Sequence, residues 1–255
     1  MPKISALLIT LNEEDNIASV IENLHFADEI VIVDSFSKDR TIEIAQNYPN
    51  VKIYQHKFED FTKQRNYALS KAKFEWVLFL DADERVTKKL KKEILETVNS
   101  KNPADAYFFY RKFMFKNKTL HFSGWQTDKN IRLFKKSKAK YTEERLVHEV
   151  LSVNGSQGKL KNKLIHYSYQ NYHSYKRKML SYAKLKAKEL YNKKVEPNPY
   201  HYYVKPLYKF IHGYIIRLGF LDGRKGLTIC YLNALSVYKR YPFLDEMIKN
   251  SKKGF

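Results

Sequence analysis

The stretch Trp76-Val-Leu-Phe-Leu-Asp-Ala-Asp-Glu84 is an apolar run that stops at two carboxylates, Asp81 and Asp83, separated by one small residue. The run predicts a buried strand with the acids at its carboxyl end. In extended backbone the side chains of residues i and i+2 point the same way, so both carboxylates can face one cation or one polar ligand. An acidic turn after a strand is also typical of a solvated loop or a helix cap, so the surrounding sequence has to decide between these interpretations.

The first hundred residues alternate between strand-like and helix-like patterns, which favours a parallel α/β sheet. The predicted strands are Ile4–Thr10, Glu29–Val33, Val51–His56 and Trp76–Leu80. The predicted helices are Glu13–Leu24 with Asn12 as its N-cap, Asp39–Asn47, Phe61–Lys71, and a lysine-rich helix that Thr87 caps and that ends near Asn99.

Polar residues follow three of these strands, and each of them is also a common helix-capping type. They are Thr10 with Asn12, Asp34, and Asp81 with Asp83. Because sheets of this kind bind ligands at the carboxyl ends of their strands, we expect these side chains to share one crevice.

The chain changes character after Ala106. Short aromatic segments up to Tyr169 indicate mixed or antiparallel strands that complete the sheet, with a turn at Gly124–Trp125. Two histidines, His148 and His166, lie in this part; a lone histidine on a strand is usually structural, but a nearby metal site would make either one a candidate ligand.

The remainder of the chain is predicted to be helical and basic. The predicted elements are a helix Ser174–Asn192 ended by Pro197 and Pro199, followed by two amphipathic stretches, Leu207–Leu221 and Leu227–Tyr238. Charged residues interrupt or bracket both stretches, so neither is expected to span a bilayer. We therefore expect a catalytic domain over residues 1–170 and a basic helical region over 171–255, packed on that domain or associated with a membrane.

The formal charge of +20 is unevenly distributed. Residues 1–155 hold 26 Lys and Arg against 22 Asp and Glu, whereas residues 156–255 hold 21 against 5. A segment of this charge favours a polyanion, either nucleic acid or an anionic membrane surface, and electrostatics alone does not separate the two. The single cysteine, Cys230, excludes an intramolecular disulfide and argues against a cysteine zinc site, which fits a reducing cytoplasm.

Three large enzyme classes lack their signatures in this sequence. No glycine-rich dinucleotide fingerprint follows a strand, and neither a Walker sequence nor a nucleophilic serine elbow occurs. A divalent ion held by Asp83, with help from Asp81, would instead neutralise a diphosphate leaving group, which makes glycosyl transfer from a nucleotide sugar the natural reaction. A further carboxylate would accept the proton of the acceptor hydroxyl. Glu149 is the candidate for this base, with Glu143, Glu144 and Asp128 as alternatives.

Six stretches occur in order between residues 4 and 170. They are Ile9-Thr-Leu-Asn-Glu13, Ala27-Asp-Glu-Ile-Val-Ile-Val-Asp-Ser35 with Asp39-Arg-Thr41, Gln64-Arg-Asn-Tyr-Ala68, Trp76–Glu84, Arg145-Leu-Val-His-Glu149 and Leu164-Ile-His-Tyr-Ser-Tyr169. Together they resemble family 2 glycosyltransferases, and more narrowly the bacterial lipopolysaccharide-core or lipooligosaccharide glycosyltransferases. The later Leu218-Gly-Phe-Leu-Asp-Gly223 is similar to the narrower group.

The resemblance implies an α/β fold of the GT-A (nucleotide-diphospho-sugar transferase) type, a Rossmann-like mixed sheet with a basic C-terminal helical extension. It implies nucleotide-sugar-binding roles for Thr10, Asn12, Glu13, Asp34, Arg65, Asp81 and Ala82. Within this set, Asp34 and Arg65 would hold the nucleobase of the donor, and Asp81 would hold its ribose. Asp83 would bind the metal, Mn²⁺ or Mg²⁺, and His166 matches a late histidine that supplies a second ligand. The implied reaction is an inverting, single-displacement transfer from a UDP-sugar.

These expectations combine into one leading hypothesis. It is a cytoplasmic hexosyltransferase, peripheral on the inner face of the bacterial cytoplasmic membrane, that acts on a lipid-linked or lipopolysaccharide-core saccharide. A basic nucleic-acid-binding protein is the alternative; it explains the basic tail but not the acids at the strand ends. An inactive scaffold with the transferase fold is a third possibility, which the presence of Asp81 and Asp83 gives no reason to prefer.

Overall fold

The computed structural model describes residues 2–115, 118–124, 128–142, 150–169 and 172–253. The chain forms two compact units. Unit 1 comprises Met1–Arg111 and Lys129–His166, and unit 2 comprises Lys112–Asp128 and Tyr167–Phe255. The functional division expected at residue 170 stays a prediction.

The secondary structure follows the alternation expected from the sequence. The strands in the described chain are β1 (Ile4–Thr10), β2 (Glu29–Asp34), β3 (Val51–Gln55), β4 (Trp76–Asp81), β5 (Glu84–Arg85), β6 (Ala106–Phe115), β7 (Lys118–Leu120), β8 (Lys129–Lys135), β9 (Ala139–Thr142), β10 (Val150–Val153), β11 (Gln157–Lys159) and β12 (Leu164–Tyr169). The α-helices are α1 (Glu14–Asn23), α2 (Thr41–Gln46), α3 (Phe61–Lys71), α4 (Lys88–Val98), α5 (Tyr172–Asn192), α6 (Lys205–Ile211) and α7 (Gly223–Lys253).

Unit 1 is built on a mixed sheet. Its parallel strands have the order β3-β2-β1-β4, and the antiparallel strands β8 and β6 continue from β4. Successive residues of the central strands pack into different core clusters: Leu78 and Leu80 belong to one cluster, and Val77 and Phe79 to the other. The parallel strands β1, β2 and β4 are therefore buried on both faces, as their nearly continuous apolar sequences require, whereas the edge strand β3 is partly exposed.

The sequence predicted helix N-caps at Thr87 and at Asn12. The hydroxyl of Thr87 accepts a hydrogen bond from the Leu90 backbone N–H at 3.1 Å, so the expected N-cap of α4 is confirmed. The expected N-cap at Asn12 is wrong. Asn12 has a left-handed backbone (φ 56°), and its side-chain oxygen accepts from the Lys38 backbone N–H at 2.8 Å. The amide thus joins two loops, because asparagine tolerates this conformation better than most residues.

The aromatic and C-terminal segments differ in detail from the expectation. Two short strands expected between Tyr107 and Phe115 form the single strand β6. The stretch Leu207–Leu221 is not one helix, because α6 passes into a π-helical turn at His212–Ile216 and Leu218 then adopts a left-handed conformation. A short 3₁₀ turn, Gly219–Asp222, leads into α7.

Unit 2 is organised around α5 and α7. The Tyr175 hydroxyl on α5 donates to Asn233 Oδ1 on α7 at 2.6 Å, and Ser236 Oγ donates to the Met179 carbonyl at 3.0 Å. A fully buried cluster surrounds Tyr175 and includes Phe113 from β6. None of the helices in the described part of the chain has both the length and the apolar content to cross a bilayer.

Candidate active site

The ends of β1 and β2 converge on Asp34, which is fully buried. Its carboxylate accepts hydrogen bonds from the Thr10 hydroxyl at 2.9 Å and from the Ser37 backbone N–H at 2.7 Å. The Ser37 hydroxyl donates to the same carboxylate. Because a buried carboxylate needs such donors, Asp34 holds the loop after β2 against the end of β1.

The loop after β1 is tied to the same segment. The Asn12 backbone N–H donates to Ser37 Oγ at 2.8 Å, and the Glu13 backbone N–H donates to Thr41 Oγ1 at 2.7 Å. The Glu13 carboxylate accepts from Asn16 Nδ2 at 2.8 Å. Thr10, Asn12 and Asp34 are thus brought together at the carboxyl edge of the sheet, as the sequence predicted.

Asp81 lies between two arginines at the end of β4. Its Oδ1 accepts from Arg65 Nη2 at 2.8 Å, and its Oδ2 accepts from Arg132 Nη2. Burial alone would raise the pKa of Asp81, but the charges of Arg132 and Arg65 hold that pKa well below its usual range. The resemblance implied that Arg65 holds the nucleobase. In the structure Arg65 lies over the ring of Phe79, with its guanidinium carbon 4.8 Å from the ring centroid. Asp81 keeps lone pairs for a ligand hydroxyl beyond the two guanidinium contacts.

Glu84 is the second carboxylate of this network. It is fully buried, and its Oε2 accepts from the Asp81 backbone N–H at 3.1 Å. Its Oε1 accepts from Arg132 Nη2 at 2.6 Å and lies 3.5 Å from Arg111 Nη1. Burial raises the pKa of Glu84 despite the opposing charge of Arg132, and the nearby Asp81 carboxylate adds to this rise. Glu84 therefore closes the turn that carries Asp83.

Asp83 and His166 are brought together by strand pairing. β5 pairs with β12 in the register His166 to Glu84, which places the imidazole beside the Asp81-Ala82-Asp83 turn. His166 Nε2 lies 3.1 Å from Asp83 Oδ2, although 83 residues separate the two in sequence. Two adjacent ligands of an octahedral cation with bonds of about 2.1 Å would be about 3 Å apart, so this spacing suits a shared Mg²⁺ or a similar ion.

The described residues supply two candidate metal ligands. Within this part of the chain, no group of three or more His, Cys, Asp or Glu side chains is placed to hold an ion. A site with one or two protein ligands is typical of Mg²⁺ bound together with substrate phosphates and water. Ala82 is buried between the two acids, and its carbonyl accepts from Arg85 Nη1 at 2.6 Å.

The candidate base lies outside the described residues. Glu149 and its alternatives Glu143 and Glu144 fall in residues 143–149, as does His148. Asp128, the remaining alternative, is a half-buried residue of unit 2. The assignment of the base therefore stays a prediction.

Sequence reasoning missed Arg132 and gave no role to Glu84. Arg132 is 4% exposed on β8, within the otherwise apolar Ile131-Arg-Leu-Phe134. A charged residue inside an apolar strand is a detectable signal, because such a group is rarely buried without a partner. The partner itself could not be read from the sequence, since Arg132 lies about fifty residues from both acids.

The described chain has the mixed α/β sheet expected of the GT-A type, and comparisons with known proteins agree on the fold. The crystal structure of S. aureus TarS 1-349 in complex with UDP-GlcNAc superposes with a TM-score of 0.51 at 16% identity, covering 97% of this chain and 92% of that one. The complex of the same protein with UDP gives 0.50 at 17% identity, with the same coverage. The predicted fold class is confirmed.

A family model described as glycosyl transferase family 2 matches residues 5–181. The chain is 26% identical over 255 residues to a lipopolysaccharide core biosynthesis glycosyltransferase, LpsC, of Rhizobium meliloti (strain 1021), covering 94% of each chain. It is 28% identical over 257 residues to an uncharacterized glycosyltransferase of Rickettsia bellii (strain RML369-C), covering 96% of this chain and 87% of that one. The protein belongs to glycosyltransferase family 2 and is an enzyme of that class. This assignment favours the transferase over the nucleic-acid-binding alternative.

Proposed function

We propose that the protein transfers a hexose from a UDP-sugar to a saccharide of the lipopolysaccharide core or to another lipid-linked saccharide, with inversion at the anomeric carbon. The observation that carries this proposal is the Asp83 and His166 pair, 3.1 Å apart at the carboxyl end of the central strand. The UDP-GlcNAc complex of TarS supports the donor class, and the similarity to LpsC, a lipopolysaccharide core biosynthesis glycosyltransferase, supports the acceptor class.

Asp83 and His166 would hold Mn²⁺ or Mg²⁺, which when bound offsets the negative charge of the diphosphate. The protein's own contribution is to fix these ligands. The Asp81-Ala82-Asp83 turn is held by the Glu84 carboxylate and by Arg85, which donates to the Ala82 carbonyl. Arg65 and Arg132 fix Asp81, leaving it oriented for the ribose of the donor. Supporting contacts of this kind maintain the geometry that a transfer reaction needs.

Transfer in this proposal is one displacement. The acceptor oxygen forms a bond to the anomeric carbon as the bond from that carbon to the UDP oxygen breaks. Glu149 takes the proton of the acceptor hydroxyl, and UDP leaves with the bonding electron pair. A single displacement inverts the configuration at the anomeric carbon.

The metal and donor site can be tested by calorimetry with UDP and Mn²⁺. Asp83→Asn is expected to weaken their joint binding at least tenfold, because it removes a charged ligand while preserving size. Asp15→Asn, at an exposed position on α1, is the matched control and should bind as the wild type does. Equal binding by Asp83→Asn and wild type would remove Asp83 from the site.

The base is tested by turnover. Glu149→Gln is expected to lower kcat by roughly 100- to 10,000-fold while leaving UDP binding intact, because a general base acts only on the chemical step. Glu143→Gln, Glu144→Gln and Asp128→Asn test the alternatives under the same conditions. Wild-type turnover in Glu149→Gln would transfer the role to whichever of these three variants loses activity.

We further infer that the enzyme works on the cytoplasmic face of a bacterial membrane. The inference is supported by the acceptor class of LpsC and by the excess of 21 basic over 5 acidic residues between positions 156 and 255. Positively charged segments of this kind are attracted to anionic lipid headgroups.

A further inference from the structure

Exposed large apolar side chains are concentrated in one part of unit 2. Most of those in the described chain lie between residues 200 and 238, and several are more than half exposed. They are Tyr200, Tyr203, Val204, Leu207, Tyr208, Ile211, Ile215, Ile216, Leu218, Phe220, Leu221, Leu227, Tyr231 and Tyr238. Single exposed apolar residues are ordinary, but a concentration of them within one segment is typical of an interaction surface.

A groove lies between α6 and α7, which carry several of these exposed side chains. It has a volume of about 300 Å³ and an almost wholly apolar lining, which includes Leu207 and Phe210 of α6 and Tyr231 and Tyr238 of α7. Leu207, Tyr231 and Tyr238 also count among the exposed side chains, so the groove opens onto the same surface.

The turn between α6 and α7 presents further apolar side chains at a fixed position. Leu218 has φ 56°, a conformation that is costly for a residue with a Cβ, and its side chain is 42% exposed. Phe220 and Leu221 follow, 46% and 55% exposed. We call Leu218, Phe220 and Leu221 the apolar tip. Burial in a core does not explain this strained backbone, since all three side chains face outward.

The apolar tip is held in place by close packing and by one carboxylate. A Cβ on Gly226 would lie 1.9 Å from the Gly219 carbonyl oxygen, so the start of α7 can approach the turn only because residue 226 is glycine. The Asp222 carboxylate accepts from the backbone N–H groups of His121 and Phe122, each at 2.9 Å. The outward position of the apolar tip is thus built into unit 2.

The charge of this region indicates what covers it. Between residues 200 and 240 there are seven Lys and Arg residues and one acid, Asp222, whose oxygens are taken up by backbone donors. Arg224 and Lys209 are exposed beside the apolar series. Two copies of this chain facing each other here would bring like charges together, which opposes self-association. An anionic surface with an apolar interior satisfies both features.

We propose that the apolar tip and the adjoining groove dock on an anionic lipid bilayer. Leu218, Phe220 and Leu221 enter the boundary between headgroups and acyl chains, while Lys209 and Arg224 contact lipid phosphates. The groove between α6 and α7 accommodates part of an acyl chain. This inference rests on the proposed location at a membrane and names the surface and the residues responsible.

The experiment is flotation of the full chain with phosphatidylglycerol-containing vesicles and with vesicles of phosphatidylcholine alone. The wild type is expected to float with the anionic vesicles, and added salt should reduce its recovery because exposed charges are screened. Phe220→Ser with Leu221→Ser should lower vesicle affinity at least tenfold, since each side chain contributes apolar burial. Tyr182→Ser with Leu185→Ser on α5 is the matched control, exposed to a similar degree, and should float as the wild type does.

Charge reversal provides a second arm. Lys209→Glu with Arg224→Glu should lower affinity for anionic vesicles more than Lys88→Glu with Lys89→Glu, an exposed pair in unit 1 with the same change in net charge. Equal losses in the two variants would show attraction by net charge alone, and a larger loss in the unit 1 variant would place the contact there; either result would overturn the assigned surface.

Other outcomes also decide the inference. Equal recovery with both vesicle types, no recovery with either, or full binding by the Phe220 and Leu221 variant would overturn it. Concentration-dependent self-association lost in that variant without vesicle binding would assign the surface to a second copy, and tighter binding to mixed-sequence DNA would assign it to nucleic acid. UDP and Mn²⁺ binding, measured on the same samples, separates failure of docking from failure of the proposed transferase site.

Discussion

Unit 1 buries charged side chains, whereas unit 2 exposes large apolar ones. In unit 1, Glu84 is fully buried and Arg132 is 4% exposed, although both are charged. In unit 2, Ile216 and Leu221 are 61% and 55% exposed, although both are aliphatic. The cost of the buried charges is offset by their mutual contacts and by the Asp81 backbone N–H, whereas a partner would be needed to remove the exposed apolar groups from water. Each exception to the usual distribution supports one of the proposals: the buried network holds the turn that carries Asp83, the proposed metal ligand, and the exposed side chains form the surface proposed to dock on a membrane.

The largest effect on stability is expected from breaking the buried network of unit 1. Arg132→Met should lower the free energy of unfolding by about 3–5 kcal/mol, because Glu84 loses its nearest cation while remaining buried. Arg40→Met is the control; it removes an exposed pair with Glu43, which solvent screens, and should change the free energy of unfolding far less than Arg132→Met does. Urea titration measures both.

Adding Glu84→Gln to Arg132→Met should recover part of the loss, because the double variant no longer buries the Glu84 carboxylate without Arg132. A loss below about 1 kcal/mol in Arg132→Met would mean that the network does not hold the turn.

A smaller effect is expected from crowding the turn of unit 2. Gly226→Ala should destabilise by about 1–3 kcal/mol, because its Cβ meets the Gly219 carbonyl oxygen. It should also weaken vesicle binding by moving the apolar tip, while UDP binding remains. Gly223→Ala is a second variant of this turn: its Cβ meets nothing within 4 Å, but its backbone (φ 61°, ψ −142°) is one that favours glycine, so it tests the backbone and not the packing. Thermal unfolding and vesicle flotation follow both variants, and a Gly226→Ala variant as stable as the wild type would refute the packing explanation.

Removing the N-cap of α4 in unit 1 should change stability less than the variants above. This cap belongs neither to the buried charge network nor to the apolar tip. Thr87→Ala should cost about 1 kcal/mol, because the Leu90 N–H at the start of α4 loses its acceptor. Ser70→Ala on α3 is the control, since that hydroxyl bonds a carbonyl within its own helix and contributes little. Both free energies come from urea titration, and a neutral Thr87→Ala would contradict the capping role.

The smallest effect is expected from an ion pair at the base of β6. Lys135 Nζ at 2.9 Å and the Ser156 backbone N–H lower the pKa of Asp105 from 3.8 to about 2. Because the folded pKa lies below the unfolded one, this stabilisation is fully present above the unfolded pKa and is lost as the pH falls through the folded pKa. Asp105→Asn should therefore lower the melting temperature at pH 6, and the difference from wild type should shrink between about pH 4 and pH 2. A difference that is constant with pH would contradict this origin.

Elements defined by local patterns could be predicted from the sequence, whereas contacts between residues far apart in the chain could not. β1, α3 and β12 have the bounds that were expected, because burial on alternate sides of a strand or on one side of a helix leaves a local pattern. The strand-end position of Asp34 and Asp81 followed from the same patterns. Asn12 was misread as a cap because the competing acceptor role, toward Lys38, depends on a loop 26 residues away.

The sequence by itself determined the α/β class, the strand-end acids and the basic character of the C-terminal region, because composition and short-range periodicity record them directly. The resemblance of its motifs indicated the family. Only the tertiary structure decided that His166 lies against Asp83, that Arg132 bridges Asp81 and Glu84, and that the apolar tip faces outward. These contacts join residues far apart in the chain or depend on a single backbone angle, as at Leu218. Such contacts form only when the whole fold closes, and no local pattern specifies them.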